Sequence, residues 1–267
     1  MNNQKHTLKE HYGLFIGGQW RDASDKAVYT STNRQTEKFL HSVHRQQKKM
    51  WMLLWRQHGK LSQSGTTTEQ KRLAQLILEK IADRIEENKE WLAQVETMDN
   101  GKPIRETSTI DIPYSIRHFR YYASLIRTDE GTASVLDGNM MSLVLREPIG
   151  VVGQIVPWNF PFLMAAWKLA PAIAAGDCIV FKPSSETSLS MLVFTELIQD
   201  LLPAGVLNLI TGSGSKSGQY LLEHPGLSKL AFTGSTEIGR DIAVAAAERL
   251  IPATLELGGK SANIIFD

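Results

Sequence analysis

At 267 residues, with 42% hydrophobic residues and a formal net charge of +1, the chain has room for one large or two modest domains. Its charge gives no electrostatic pull toward nucleic acid or an anionic membrane. A single cysteine, Cys178, rules out an internal disulfide framework and suits a reducing compartment. The polar start MNNQKHTLKEH lacks the apolar run of a signal peptide, and no stretch is long enough to span a bilayer, so a cytoplasmic protein without membrane or nucleic-acid partners is expected.

Residues 13–20, GLFIGGQW, alternate apolar positions around a Gly-Gly turn and predict an edge hairpin. From 34 to 62 the character changes abruptly, with His, Gln, Lys, Arg, Met and Trp crowded into FLHSVHRQQKKMWMLLWRQHGK. A basic, aromatic run of this kind is a nucleic-acid or partner-helix candidate, or a solvated helix. A third reading is out-of-frame translation. Met and Trp each have one codon, so reading Met50, Trp51 and Met52 from the last base of the Lys49 codon forces Asp or Asn, then Val, then Asp. Continued to Ser62, that frame permits an amphipathic helix of good formers, and the same shift after Asn33 permits Asn-Pro-Ala-Asn-Gly-Glu.

Thr66 and Glu69 form a capping box, and Leu73, Ile77, Ile81 and Ile85 recur every four residues, predicting a helix with one buried face. Residues 86–96 extend or restart it, and Asn100-Gly101-Lys102-Pro103 ends it. A Tyr-rich helix over 110–127 is expected to pack in the core. Asp137-Gly138 separates two apolar runs, 132–136 and 140–145, as a hairpin turn does.

Residues 153–184, GQIVPWNFPFLMAAWKLAPAIAAGDCIVFKPS, read as strand, turn, helix, turn, strand. In such parallel units ligands bind beyond the carboxyl ends of the strands, and those ends carry PWNFP (157–161) and KPS (182–184). A rigidly held Asn159 amide is suited to stabilising a developing oxyanion, although taken singly it reads first as a turn residue. Lys182 alone is either a phosphate or ribose ligand or a solvated surface lysine. Regular alternation follows: helix 189–201, strand 206–210, helix 216–223, strand 230–232. The run FTGSTEIG (232–239) then takes a strand through a Gly turn into a helix, whose free N–H groups favour an anion. Gly234 would admit close backbone approach, Ser235 would donate to a pyrophosphate, and Gly239 would let the helix lie near the sheet. Glu256, in LELGGKS (255–261), sits among apolar residues and is either a general base or a strand-end partner of Lys260.

PWNFP, KPS, FTGSTEIG and LELGGK, in this order, resemble the aldehyde dehydrogenase superfamily, as do FIGGQW and EENKEWLAQVETMDNGKP. The resemblance implies an α/β, Rossmann-like coenzyme domain over 1–131 and 146–267, with 132–145 a projecting hairpin that pairs subunits of a homo-oligomer. It implies oxidation of an aldehyde to a carboxylic acid with NAD or NADP through a cysteine thiohemiacetal. Asn159 then holds the oxyanion with the cysteine's own N–H, and Glu256 activates the deacylating water. Coenzyme contacts are implied for Ile155, Val156, Pro157, Trp158, Lys182, Ser185, Gly214, Phe232, Gly234, Ser235, Ile238, Leu257 and Gly258, and no metal is implied. Two departures stand out. Ser185 occupies a position where many NAD-preferring members carry Glu, with Glu186 one place later. The sequence also ends before the family's nucleophile and catalytic domain, and Cys178, at the start of a buried strand, is no replacement. The expectation is a truncated, inactive fragment of low solubility, or alternatively a non-catalytic nucleotide- or partner-binding protein derived from the family.

Overall fold

A computed structural model of the chain describes residues 6–24, 26–44 and 68–266. Strands β8 (Val151–Ile155), β9 (Cys178–Lys182), β10 (Leu207–Leu209), β11 (Lys229–Gly234) and β12 (Ala253–Leu257) are parallel. Two N-terminal strands add to this sheet, β2 (Leu14–Ile16) antiparallel to β10 and β3 (Gln19–Arg21) antiparallel to β2, giving the order β12-β11-β8-β9-β10-β2-β3. The predicted edge hairpin is therefore real, with Gly17 and Gly18 both at positive φ in its turn. A second sheet runs β1-β5-β4, from β1 (His11–Tyr12), β4 (Val28–Thr32) and β5 (Phe39–His44).

Every residue of β9, and all but Ile155 of β8, is buried. Such strands are covered on both faces, which is why VVGQI and CIVFK read as continuous apolar runs and not as alternations. One face, carrying Val156, Ile179, Phe181, Leu207 and Leu209, packs under the helices Thr68–Glu87, Lys89–Asn100, Ile112–Leu125, Pro161–Ala175 and Leu189–Ile198. The other, carrying Val151, Val180, Leu230 and Phe232, packs against Leu221 and the Thr236–Glu248 helix through Ile242 and Ala246. The chain passes from β8 outward through β9 to β10 and then returns to the far side of β8 for β11 and β12. Strand order thus reverses at β8, and the crevice beyond its carboxyl end is where such sheets hold ligands.

The Pro161–Ala175 helix starts on a proline, whose fixed φ suits the first turn. It stops at Gly176, which is left-handed at φ 81°, and Pro148 packs close enough to Gly176 to crowd any added Cβ. Asp177 then accepts the Gly150 N–H at 3.1 Å, tying the start of β9 to the entry of β8.

One expectation is corrected. Leu73 is exposed, and the buried stripe of the Thr68–Glu87 helix is Leu78, Ile81, Ala82 and Ile85. A strict four-residue repeat drifts around a 3.6-residue helix, whereas steps of three and four keep one face. The Ile112–Leu125 helix packs in the core as expected, through Ile112, Ile116, Phe119 and Ala123, with Tyr122 partly buried against them and Tyr114 and Tyr121 exposed. The expected hairpin exists as β6 (Thr132–Asp137) paired antiparallel with β7 (Met140–Val144), its turn at Gly138 and Asn139. Its large apolar residues, among them Val135, Leu136, Met141 and Leu143, are all exposed. Of the segment expected to be out of frame, Phe39 to His44 forms β5 of the second sheet, with Val43 fully buried. Residues 45–62 and Thr66 of the capping box lie outside the described residues.

Candidate coenzyme and catalytic site

Register brings the sequence motifs together. Ile155 pairs with Lys182 on one side and Phe232 on the other, and Gly234 pairs with Leu257 two residues further along. Because parity alternates along a strand, Ile155, Lys182 and Phe232 share the face packed by the Thr236–Glu248 helix. Val156 continues the pairing by donating its N–H to the Lys182 carbonyl at 3.3 Å. Pro157 and Trp158 then leave the sheet, and the Trp158 ring is exposed.

Lys182 is buried, which excludes the surface-lysine alternative. Burial pulls its ammonium down to about 8, and among the described residues its Nζ donates to Pro183 O at 3.0 Å. An ammonium carries three donors, so this one is held at a strand end with capacity for ligand oxygens. Its stem passes Gly218, 3.8 Å from where a Cβ would stand. Gly218 closes the π turn Gly214–Gly218, whose first residue, Gly214, is exposed with open space around it.

Ser235 caps the Thr236–Glu248 helix, its Oγ accepting the Ile238 N–H at 3.3 Å. The hydroxyl proton stays free to donate to an anion, while the Ile238 N–H is already taken. A Cβ on Gly234 would stand 2.4 Å from the Phe232 ring, and one on Gly239 2.3 Å from a Leu257 methyl. The second contact shows why this helix needs glycine where it crosses β12. Gly258 is tied to the helix start, its carbonyl accepting from Thr236 Oγ1 at 3.3 Å. Ser185 lines a cleft of about 450 Å³ with Thr30, Arg34, Glu186 and Ser213. Arg34 pairs with Glu186 at 2.6 Å, so the displaced glutamate is already engaged.

Asn159 and Glu256 lie apart from this set. Asn159 is exposed in the loop that enters the Pro161–Ala175 helix, and its neighbours are pinned from afar. Asn100 donates to Trp158 O at 2.5 Å, Lys102 lies 3.4 Å over the Phe160 ring, and buried Glu96 accepts the Phe162 N–H at 3.1 Å. Glu256 lines a cleft of about 530 Å³ on the opposite sheet face from Lys182, with Gln154, Lys168 and Thr233. The expected apolar setting of Glu256 is corrected: the residue is exposed, because β12 is the sheet's outer strand. Lys168 is a site residue that sequence reasoning missed. Burial lowers its ammonium to about 8, Glu256's charge opposing the shift. The signal was available, since it is the one charged residue of PFLMAAWKLAPAIAA.

Cys178 is buried at the start of β9, and burial first, then the charge of Asp177, pushes its thiol up to about 11. A thiol held protonated inside a sheet is inert as a nucleophile.

A parallel sheet whose strand order reverses at β8, flanked by helices on both faces, defines a Rossmann-like α/β protein. The chain belongs to the aldehyde dehydrogenase family, whose family model matches residues 20–267. Aldehyde dehydrogenase B of Escherichia coli (strain K12) is 49% identical over 260 residues, covering 97% of this chain and 50% of the relative. An NAD+ complex of aldehyde dehydrogenase from Bacillus cereus superposes with a TM-score of 0.90 at 37% identity, covering 97% of this chain and 53% of that one. PnpE in complex with nicotinamide adenine dinucleotide gives a TM-score of 0.87 at 38% identity, over 94% and 52%. The chain thus spans about half the length of the relatives it matches.

Proposed function

We propose that this chain is the coenzyme-binding half of an NAD(P)-dependent aldehyde dehydrogenase. The observation that carries this is Lys182, an ammonium buried at the carboxyl end of β9, in register with Ile155 and Phe232 where strand order reverses. In this reading NAD or NADP lies along the Lys182 face. Lys182 and Ser185 meet the adenosine ribose, while Ser235 and the free N–H groups of Thr236 and Glu237 take the pyrophosphate. Val156, Pro157, Trp158, Gly214, Ile238, Leu257 and Gly258 frame the cleft.

When bound, the coenzyme supplies a hydride acceptor. Asn159 is placed to hold an oxyanion on the loop fixed by Asn100 and Glu96. Glu256, beside Lys168, is placed to take a proton from water. These two groups act on a thioester only if a thiolate is supplied, and the chain's single cysteine is the inert Cys178. In this reading the chain binds nucleotide, and aldehyde oxidation requires a nucleophilic thiolate that Cys178 does not supply. The exposed apolar β6–β7 hairpin serves as a subunit-pairing surface.

Hydrogen exchange with and without NAD or NADP tests the placement. Protection is expected at Thr236, Glu237 and the 156–158 loop. Protection confined elsewhere overturns it.

A further inference from the structure

His11 on β1, Asp22 just past β3 and His44 at the end of β5 belong to neither the coenzyme set nor the catalytic set, yet the fold brings their side chains together. His44 Nε2 stands 2.9 Å and His11 Nε2 3.8 Å from the same Asp22 oxygen. The three ligand atoms lie within 4.8 Å of one another. Donors bound tetrahedrally to zinc at about 2.0–2.2 Å stand roughly 3–3.5 Å apart, so small side-chain adjustments close the set around one ion.

The surroundings prepare the ligands. β1 and β5 are parallel with His11 opposite Ser42, and His44, two residues on, points to the same side. The two rings meet edge to face at 4.5 Å. Ser42 Oγ donates to the Glu10 carbonyl and lies 2.6 Å from His11 Nδ1. A hydroxyl that spends its proton on a carbonyl accepts from Nδ1–H, which fixes the tautomer with the Nε2 lone pair facing Asp22. This outer hydrogen bond is the arrangement that orients metal-binding histidines. His44 is buried, which holds its ring in place, while His11 and Asp22 are partly open to solvent and leave coordination positions for water.

We propose that His11, Asp22 and His44 bind one divalent transition metal ion, zinc, through two imidazole nitrogens and one carboxylate oxygen. Two imidazoles favour zinc over the oxygen-seeking magnesium and calcium. The ion clips β1 and the β3–β4 connection to β5, joining segments that also meet through strand pairing and the buried Tyr12 and Val43.

Zinc and magnesium are titrated into the purified chain by calorimetry, with thermal unfolding followed in parallel and cobalt used as a spectroscopic stand-in. One zinc per chain, a raised unfolding midpoint, tetrahedral cobalt absorption and no response to magnesium are expected. His11→Ala and Asp22→Asn change exposed side chains and are expected to keep the fold, each weakening zinc binding at least ten-fold. A folded wild-type chain that binds no zinc overturns the proposal. So does a folded double variant that binds it as tightly as wild type, since the ion is then held by other groups.

Discussion

Glu96 and Asp99 lie three residues apart on one helix, and each carboxylate accepts the first available backbone N–H of a different helix. Glu96 takes Phe162 N at 3.1 Å and Asp99 takes Leu189 N at 2.7 Å. Spacing of three puts both on one face, and a carboxylate at a helix N-terminus satisfies an orphan donor and meets the positive end of the dipole. The first of these helices begins two residues after Asn159 and the second seven after Lys182. One buried pair of carboxylates therefore fixes both loops of the proposed site. Glu96→Ala leaves the Phe162 N–H buried and unpaired, and is expected to cost about 1–3 kcal/mol, read by denaturant unfolding.

The same pair makes stability depend on pH. Burial raises Glu96 from 4.5 to about 7 and Asp99 from 3.8 to about 6. Within those windows the folded state holds protons that the unfolded state has released, so stability falls as pH rises. The slope is at most about 1.4 kcal/mol per pH unit for each group. Lys182 works oppositely: depressed from 10.5 to about 8, it binds its proton more tightly when unfolded, so stability recovers between those values. Unfolding midpoints from pH 4 to 10 are expected to pass through a minimum near neutrality. Glu96→Gln flattens the acid limb, and an unchanged limb in that variant contradicts the assignment.

Gly153 stands at the centre of β8, where an added side chain would crowd its neighbours. A Cβ there would stand 3.0 Å from methyls of Leu227 and Leu230 and 3.3 Å from one of Leu221. Overpacking of this kind costs about 1–3 kcal/mol. Gly153→Ala is expected to lower the denaturant midpoint by that amount without changing nucleotide specificity.

Cys178 is predicted to resist thiol reagents in the native chain and to react on unfolding, because its thiolate is disfavoured and enclosed. Incubation with aldehyde and either coenzyme yields no reduced coenzyme. Turnover abolished by Cys178→Ala would show the burial argument to be wrong.

Val135 and Leu143 stand exposed on neighbouring strands of the β6–β7 hairpin. Replacing both with Lys is expected to reduce self-association in sedimentation. Equal association in the variant would remove the hairpin as a subunit-pairing surface.

The coenzyme side was largely legible in the sequence. Continuous apolar runs closed by Gly and Pro marked β8, β9 and the helix between them, and strand-turn-helix grammar marked Gly234 to Gly239. Relations that depend on distant chain segments were not. Glu96 and Asp99 reach 66 and 90 residues along the chain, and no local pattern announces such a cap. Glu256 looked enclosed because its sequence neighbours are leucines, but neighbours on a strand face opposite sides, and its exposure is set by the place of β12 at the sheet edge. His11 and His44 are brought together by the pairing of β1 with β5, and Asp22 reaches them from the end of β3 in the other sheet.

Calorimetric titration of NAD, NADP and AMP into the folded chain tests the central claim most directly. All three are expected to bind with similar affinity, since the proposed contacts cluster around Lys182 and Ser235, and Lys182→Ala with Ser235→Ala is expected to weaken each at least ten-fold. A folded chain that binds none of them, or a double variant that binds as wild type does, contradicts the account.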